Sequence, residues 1–134
     1  MIVHCCHCLN CQRQTGSAFV VNALIEADRV EVRGTMPQPV DAPRDGDTPP
    51  QRVYRCPECQ VALFSEYSRT DVWFVRAGTL DDPASVRPDV HIFTRSKADW
   101  VTLPDDVPAF EVFYDEPADV WSPAGLERRA ALDP

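Results

Sequence analysis

Apolar residues along this chain recur in short runs that favour β-strands over helices. Residues 29–33 alternate strictly between charged and apolar side chains, which is typical of a strand with one buried face. Residues 72–75 are apolar on both faces, which predicts a central strand. Turn residues separate the runs, so we expect seven strands: 17–25, 29–34, 52–55, 62–67, 72–78, 90–94 and 110–114.

Helical periodicity is almost absent, and thirteen prolines exclude long helices. We therefore predict an all-β fold that is mainly antiparallel, with one domain over residues 1–114. Residues 36–50 contain five prolines and are expected to form a long loop within it. The tail, residues 115–134, has a weakly helical stretch at 126–132 and is expected to pack through Trp121 as a frayed end.

Length and charge narrow the class of protein. A chain of 134 residues with 44% hydrophobic residues is long enough for one domain with its own core. No apolar run has the length of a membrane-spanning helix and no leader sequence is recognisable, so we expect a cytoplasmic protein without a membrane partner. The net charge of −8 opposes binding to the phosphate backbone of nucleic acids.

The candidate chemistry lies in the cysteines. All six fall in two clusters: Cys5, Cys6, Cys8 and Cys11 near the start, then Cys56 and Cys59. The CxCxxC and CxxC spacings place thiolates on tight turns, as tetrahedral zinc requires. Two arrangements are compatible with the sequence. One is a closed structural site of four cysteines: Cys8, Cys11, Cys56 and Cys59. The other is a zinc with an open fourth position on Cys6, Cys8 and Cys11, with the later pair at another zinc.

The cysteine motifs resemble those of a known family. Residues 6–19, CHCLNCQRQTGSAF, closely resemble the CHCxxCxxxTGSxF signature of the glutathione-dependent formaldehyde-activating family, which also contains centromere protein V. Residues 54–59 resemble the second knuckle of that family, and residues 76–83 resemble its GTLDDP turn. Residues 88–93 and Trp100 resemble the stretch that follows. The resemblance covers about residues 4 to 114 in the correct order.

This resemblance implies a β-tent fold of packed antiparallel sheets that hold two zincs. It places a catalytic zinc on Cys6, Cys8 and Cys11, and a structural zinc on Cys56, Cys59 and an upstream CxC pair that this sequence lacks. The chain thus reads as N-terminally truncated, and three explanations are open. The first is that the start codon was assigned too late, and the second is that the chain is a true truncated paralogue. The third is that Cys5 joins Cys56 and Cys59 in a rearranged site. The third idea rests on adjacent side chains in extended backbone pointing apart.

The implied function is that of a zinc-dependent carbon–sulfur lyase. Its partners are a small thiol of the glutathione type and formaldehyde or a related aldehyde. Zinc would take the incoming thiolate or polarise the carbonyl oxygen in its open position. The alternative is a non-catalytic zinc-binding module or degraded paralogue, favoured by the missing CxC. The sequence leaves the oligomeric state open, a homo-oligomer included.

Residues beside the first cluster are candidates for binding substrate. Thr15, Gly16 and Ser17 could line a pocket through a hydroxyl group and free amides, although a tight turn that needs Gly16 and leads into the next strand is the favoured explanation. Arg13 or Arg76 could hold a carboxylate of glutathione, on charge alone.

The histidines and tryptophans have simpler expected roles. His7 lies between two ligands and is expected to be exposed. His91 is expected to be a strand histidine with its hydrogen bonds satisfied, with a proton shuttle as the alternative. Trp73 and Phe74 are expected in the core, and Trp100 is expected to cap the sheet.

Overall fold

A computed structural model describes residues 1–44 and 50–132 of the chain. Seven strands lie in these residues: β1 Ile2–Cys6, β2 Val20–Glu26, β3 Gln38–Ala42, β4 Gln51–Arg55, β5 Ala62–Glu66, β6 Val72–Arg76 and β7 Val90–Ile92. The same residues form two α-helices, α1 Leu9–Thr15 and α2 Pro123–Ala130, together with short 3-10 turns. The predicted all-β class is confirmed.

The strands join through hydrogen bonds into one sheet in the order β3-β4-β5-β6-β2-β1-β7. Neighbours pair antiparallel except β1 and β7, which run parallel. Residues 72–75 lie in β6, between β5 and β2, so the predicted central strand is confirmed. β1 lies between β2 and β7 and carries Cys5 and Cys6 at its end.

Two of the predicted strands are wrong. The first of residues 29–34 ends a 3-10 turn, Ala27–Arg29. No strand pairs with these residues among those described, so their alternation does not produce a strand. Residues 110–114 run beside β7 without forming a strand. Their backbone bonds to it irregularly, with the Phe110 N–H donating to the His91 carbonyl at 2.9 Å and the Phe93 N–H donating to Val112 at 2.6 Å.

The proline-rich segment contains an edge strand where a loop was predicted. β3 pairs with β4 from Gln38 opposite Arg55 to Ala42 opposite Gln51. Pro39 is tolerated because an edge strand leaves one side without a hydrogen-bonded neighbour. Residues 45–49 of this predicted loop lie outside the described residues.

The core lies where β1, β2 and β7 meet the tail. Its buried residues include Ile2, Val20, Leu24, Val90, Ile92, Tyr114 and Trp121. The predicted packing of Trp121 is confirmed, although α2 begins at Pro123, earlier than expected, with the Ser122 hydroxyl accepting from the Gly125 N–H. Trp73 and Phe74 are half-buried, and Trp73 stacks on Phe64 with ring centroids 3.8 Å apart.

Trp100 does not cap the sheet. Its side chain is 78% exposed, so the prediction from the sequence is wrong. The residue follows the 3-10 turn Thr94–Ser96, in a part of the chain that has left β7. Nothing in the sequence indicated that this segment would turn away from the sheet.

A buried hydrogen-bond chain fastens the tail to β1. The Trp121 indole N–H donates to the Tyr114 hydroxyl at 2.7 Å, and that hydroxyl lies 2.9 Å from His4 Nε2. The Tyr114 hydroxyl thus accepts from Trp121 and forms a second hydrogen bond with His4, in which the tautomer of the imidazole decides which group donates. Neighbouring α2 is held to β2 by Arg128, whose Nε donates to the Glu26 carboxylate at 2.7 Å.

Tyr114→Phe should destabilise the protein by about 1–3 kcal/mol, because it leaves buried groups of His4 and Trp121 without a partner. Urea unfolding followed by tryptophan fluorescence and circular dichroism measures this loss. The loss in Tyr114→Phe/Trp121→Phe should be smaller than the sum of the two single losses, since the residues share one hydrogen bond. Strict additivity would contradict the coupling.

The Glu26–Arg128 pair predicts a contribution to acid stability. The Arg128 hydrogen bond lowers the pKa of Glu26 from 4.5 to about 2. This stabilisation is therefore present above pH 4.5 and is lost as the pH falls towards 2, and it amounts to something on the order of 2 kcal/mol. Glu26→Gln should be less stable than the parent at pH 6, and the difference should shrink by pH 3. Glu127→Gln, at an exposed position of α2, is the matched control; equal pH profiles for all three proteins would contradict the assignment.

Candidate metal centre

Helix α1 brings three cysteine sulfurs together. Cys6 ends β1, Cys8 is the N-cap of α1, and Cys11 lies in the first turn. The Cys8 sulfur accepts the Cys11 backbone N–H at 3.4 Å, in the position that a capping serine or aspartate oxygen normally takes. The three Sγ atoms all lie within 4.8 Å of one another. The sequence predicted this grouping but placed it on a turn, and the helix that creates it was missed.

The triple favours a thiolate at Cys8. The pKa of the Cys8 thiol is lowered well below its ordinary value, because the thiols of Cys11 and Cys6 donate to its sulfur and the N–H groups of Cys11 and Asn10 also donate. The pKa of Cys11 is raised, because its thiol is hydrogen-bonded to the other two sulfurs. Three converging sulfurs with backbone donors behind them are a donor set that suits Zn²⁺.

The later cysteine pair lies apart from this triple. Cys56 and Cys59 occupy the turn between β4 and β5, which is closed by the Cys56 N–H donating to the Val61 carbonyl at 2.9 Å. The pKa of Cys56 is lowered by the backbone N–H groups of Cys59 and Glu58 and by the Cys59 thiol. Over the described parts of the chain, neither cysteine belongs to a group of three potential ligands. The closed four-cysteine site with Cys8 and Cys11 is therefore not formed.

Cys5 points away from the triple, as adjacent residues in a strand do, but it does not join Cys56 and Cys59. Its sulfur lies 3.6 Å from Nε2 of His7 and groups with His7 and His91. His7 is fully buried, so its predicted exposure is wrong. His91 was predicted to have satisfied hydrogen bonds, yet no described residue bonds to its buried Nε2.

A cavity of ≈ 970 Å³ opens beside the triple. Cys6, Cys8 and Cys11 form part of its wall, and aromatic residues of the tail form another part. Among residues 1–44 and 50–132, its wall contains one carboxylate, Asp115, and four arginines: Arg44, Arg69, Arg95 and Arg129. In a chain of net charge −8, this concentration of positive charge favours an anionic ligand.

Aromatic and backbone contacts position three of these arginines. The Arg44 guanidinium lies 5.1 Å from the centroid of the Tyr67 ring, and Arg129 lies 5.4 Å from that of Trp121. Arg69 donates to the Leu132 carbonyl at 2.9 Å and also pairs with the Asp71 carboxylate at 2.6 Å, so part of its charge is already neutralised. None of the four arginines was predicted from the sequence, because they come from distant parts of the chain and no local pattern marks them.

The substrate-binding candidates from the sequence lie elsewhere. The Thr15 hydroxyl donates to the Cys11 carbonyl at 2.8 Å, and Gly16 ends α1 with φ of 65°, which favours glycine. Thr15, Gly16 and Ser17 are not among the described residues lining the cavity, and their role in binding substrate stays a prediction. Arg76 is buried and donates to Asn22, so its side chain is committed to the interior.

Among the described residues, neither helix has the length and apolar character needed to cross a bilayer.

Comparison with known proteins points to a family. A search of curated proteins finds no match to the chain. Residues 1–96 match the model of the family described as glutathione-dependent formaldehyde-activating enzyme. This match spans well over half of the chain and contains both cysteine clusters, so the protein belongs to the glutathione-dependent formaldehyde-activating enzyme family.

Proposed function

We propose that this protein is a zinc-dependent carbon–sulfur lyase that acts on the adduct of a glutathione-type thiol with formaldehyde or a related small aldehyde. The observation that carries the proposal is the position of the three-sulfur cluster in the wall of an arginine-lined cavity. Family membership supports the same chemistry. Small thiol and aldehyde partners and a cytoplasmic location, where cysteines stay reduced, belong to the same proposal.

The residues that would hold the catalytic zinc are Cys6, Cys8 and Cys11. Bound there, zinc would supply a site at which a substrate thiol is deprotonated at neutral pH. The Cys11 N–H keeps the Cys8 sulfur oriented towards the other two, so the chain holds its ligands in place without help from the substrate. Cys56 and Cys59 would contribute to a separate structural zinc.

The cavity fits a peptide-like thiol by charge and by size. Glutathione carries two carboxylates and one ammonium group, which correspond in sign to the arginines and to Asp115. The volume lies within the usual range of small-molecule sites, about 300–1,000 Å³. Phe93, Phe113 and Tyr114 give this wall an apolar surface that limits the access of water to a bound adduct.

A non-catalytic zinc-binding module is the second candidate. The observation that favours it is the Cys56–Cys59 pair, which groups with no third ligand among residues 1–44 and 50–132. A structural site left incomplete would be compatible with a degraded paralogue. The two candidates differ in whether the three-sulfur cluster supports turnover.

Cys11→Ser should lose zinc from the triple and should reduce glutathione–formaldehyde exchange to the uncatalysed rate, because only two thiolates remain. Elemental analysis gives zinc per chain, and exchange NMR with isotope-labelled formaldehyde gives the rate. Chelation followed by added zinc serves as the control, and should restore exchange in the parent but not in the variant. Parental exchange in Cys11→Ser would contradict the proposal, whereas bound zinc without exchange in the parent would favour the non-catalytic module.

Arg95→Ala should raise KM for glutathione about tenfold or more, because one charge-assisted contact to a carboxylate is worth about 1.5 kcal/mol or more. With a neutral thiol such as mercaptoethanol the effect should be slight. Arg52→Ala is the matched control, since Arg52 is exposed, pairs with Asp41 and does not line the cavity. An equal change for both thiols would show that Arg95 does not bind the carboxylate.

A further inference from the structure

Three potential ligands meet on the face of β1 opposite the cysteine triple. Cys5 on β1 is the register partner of His91 on the parallel strand β7. His7 is two residues beyond Cys5, and its N–H donates to the Ile92 carbonyl at 3.0 Å, so it continues the ladder. Side chains two residues apart in a strand share a face. All three are buried, with exposed fractions of 2% for Cys5, 0% for His7 and 6% for His91.

Their distances fit a tetrahedral metal ion. The Cys5 sulfur lies 3.6 Å from His7 Nε2, that nitrogen lies 3.0 Å from His91 Nδ1, and all three atoms are within 4.8 Å of one another. Zinc bonds of about 2.3 Å to sulfur and about 2.05 Å to nitrogen, at tetrahedral angles, separate sulfur from nitrogen by about 3.6 Å and two nitrogens by about 3.3 Å. The observed separations are close to both values.

Hydrogen bonding alone does not account for this arrangement. His7 Nε2 has either one proton or one lone pair, yet both the Cys5 thiol and His91 Nδ1 approach it. A metal ion takes a lone pair from each of the three converging atoms at once.

We propose that Cys5, His7 and His91 form a second metal site, for a borderline transition-metal ion of the Zn²⁺ type. One thiolate and two neutral imidazoles are a donor set that zinc and its neighbours in the first transition row prefer. The site opens on a separate cavity of ≈ 360 Å³, lined by these three residues and by mostly apolar side chains. That cavity gives room for water or a small anion as the fourth ligand.

This site is independent of the proposed function. Cys6 and Ile92 line the larger cavity, whereas their neighbours Cys5 and His91 line the smaller one, so β1 and β7 separate the two clusters. With one thiolate, zinc at this site would leave a net charge of +1, whereas three thiolates leave −1 at the triple. The two sites therefore differ in the ligands they take and can be loaded and measured separately.

Cadmium-113 NMR of the full chain tests the proposal, because the chemical shift reports the number of sulfur ligands. We expect a resonance typical of one sulfur and two nitrogen ligands, resolved from those of the sulfur-rich sites. Cys5→Ser and His91→Gln should each abolish it and lower bound cadmium by one per chain. Cys59→Ser and His4→Gln are the matched controls and should retain it, since neither residue belongs to the cluster.

A second measurement on the parent protein keeps the test decisive if a variant fails to fold. In nitrogen-15-labelled protein, Nε2 of His7 and Nδ1 of His91 should couple to bound cadmium-113. Absence of both the resonance and the coupling at saturating cadmium would overturn the proposal. Survival of the resonance in folded Cys5→Ser and His91→Gln would overturn it equally. If the parent protein shows the one-sulfur resonance but no sulfur-rich resonance, the result would instead count against the catalytic zinc on Cys6, Cys8 and Cys11.

Discussion

The backbone ladder on both sides of β1 is the constraint on which the rest of the structure depends. β2 pairs with this strand antiparallel and β7 pairs with it parallel, so its register is fixed from two sides. Because side chains alternate along a strand, that register sends Cys5 and Cys6 to opposite faces. A shift by one residue would exchange their environments and would also move His91 away from Cys5. Both clusters of potential ligands therefore depend on the same few hydrogen bonds.

The wall of the large cavity is positively charged, whereas the molecule as a whole is negatively charged. Acidic residues outnumber lysine and arginine by 21 to 13 in the sequence, yet the described wall beside the three sulfurs contains four arginines and several aromatic residues. Such a surface repels anions in general and leaves one region that attracts them. Stacking of Arg44 on Tyr67 and of Arg129 on Trp121 orients these guanidinium groups in advance, which lowers the entropy lost when an anion binds.

Local patterns predicted much of the sheet and the grouping of three of the cysteines. The strands β2, β4, β5, β6 and β7 follow from runs of apolar residues, and the triple follows from its CxCxxC spacing. Residues 29–34 show that an alternating pattern does not form a strand unless a neighbouring strand is available to pair with it. The contact between His7 and His91 could not be predicted from the sequence, because it depends on the parallel register of segments that lie far apart in the chain. The arginine-lined wall was missed for the same reason, since long-range packing creates it.

The tail that Tyr114 and Trp121 fasten to β1 lies beyond the part of the chain that matches the family, residues 1–96. It nevertheless supplies Phe113, Asp115 and Arg129 to the cavity wall, while the ligand cysteines come from the opposite end of the sequence. Under the proposed function, the residues that would select a substrate and those that would hold the metal thus lie in separate segments. On that proposal, substitutions in the tail would change which acidic thiol the cavity accepts and would leave the cysteine cluster intact, so a new specificity could evolve without rebuilding the metal site.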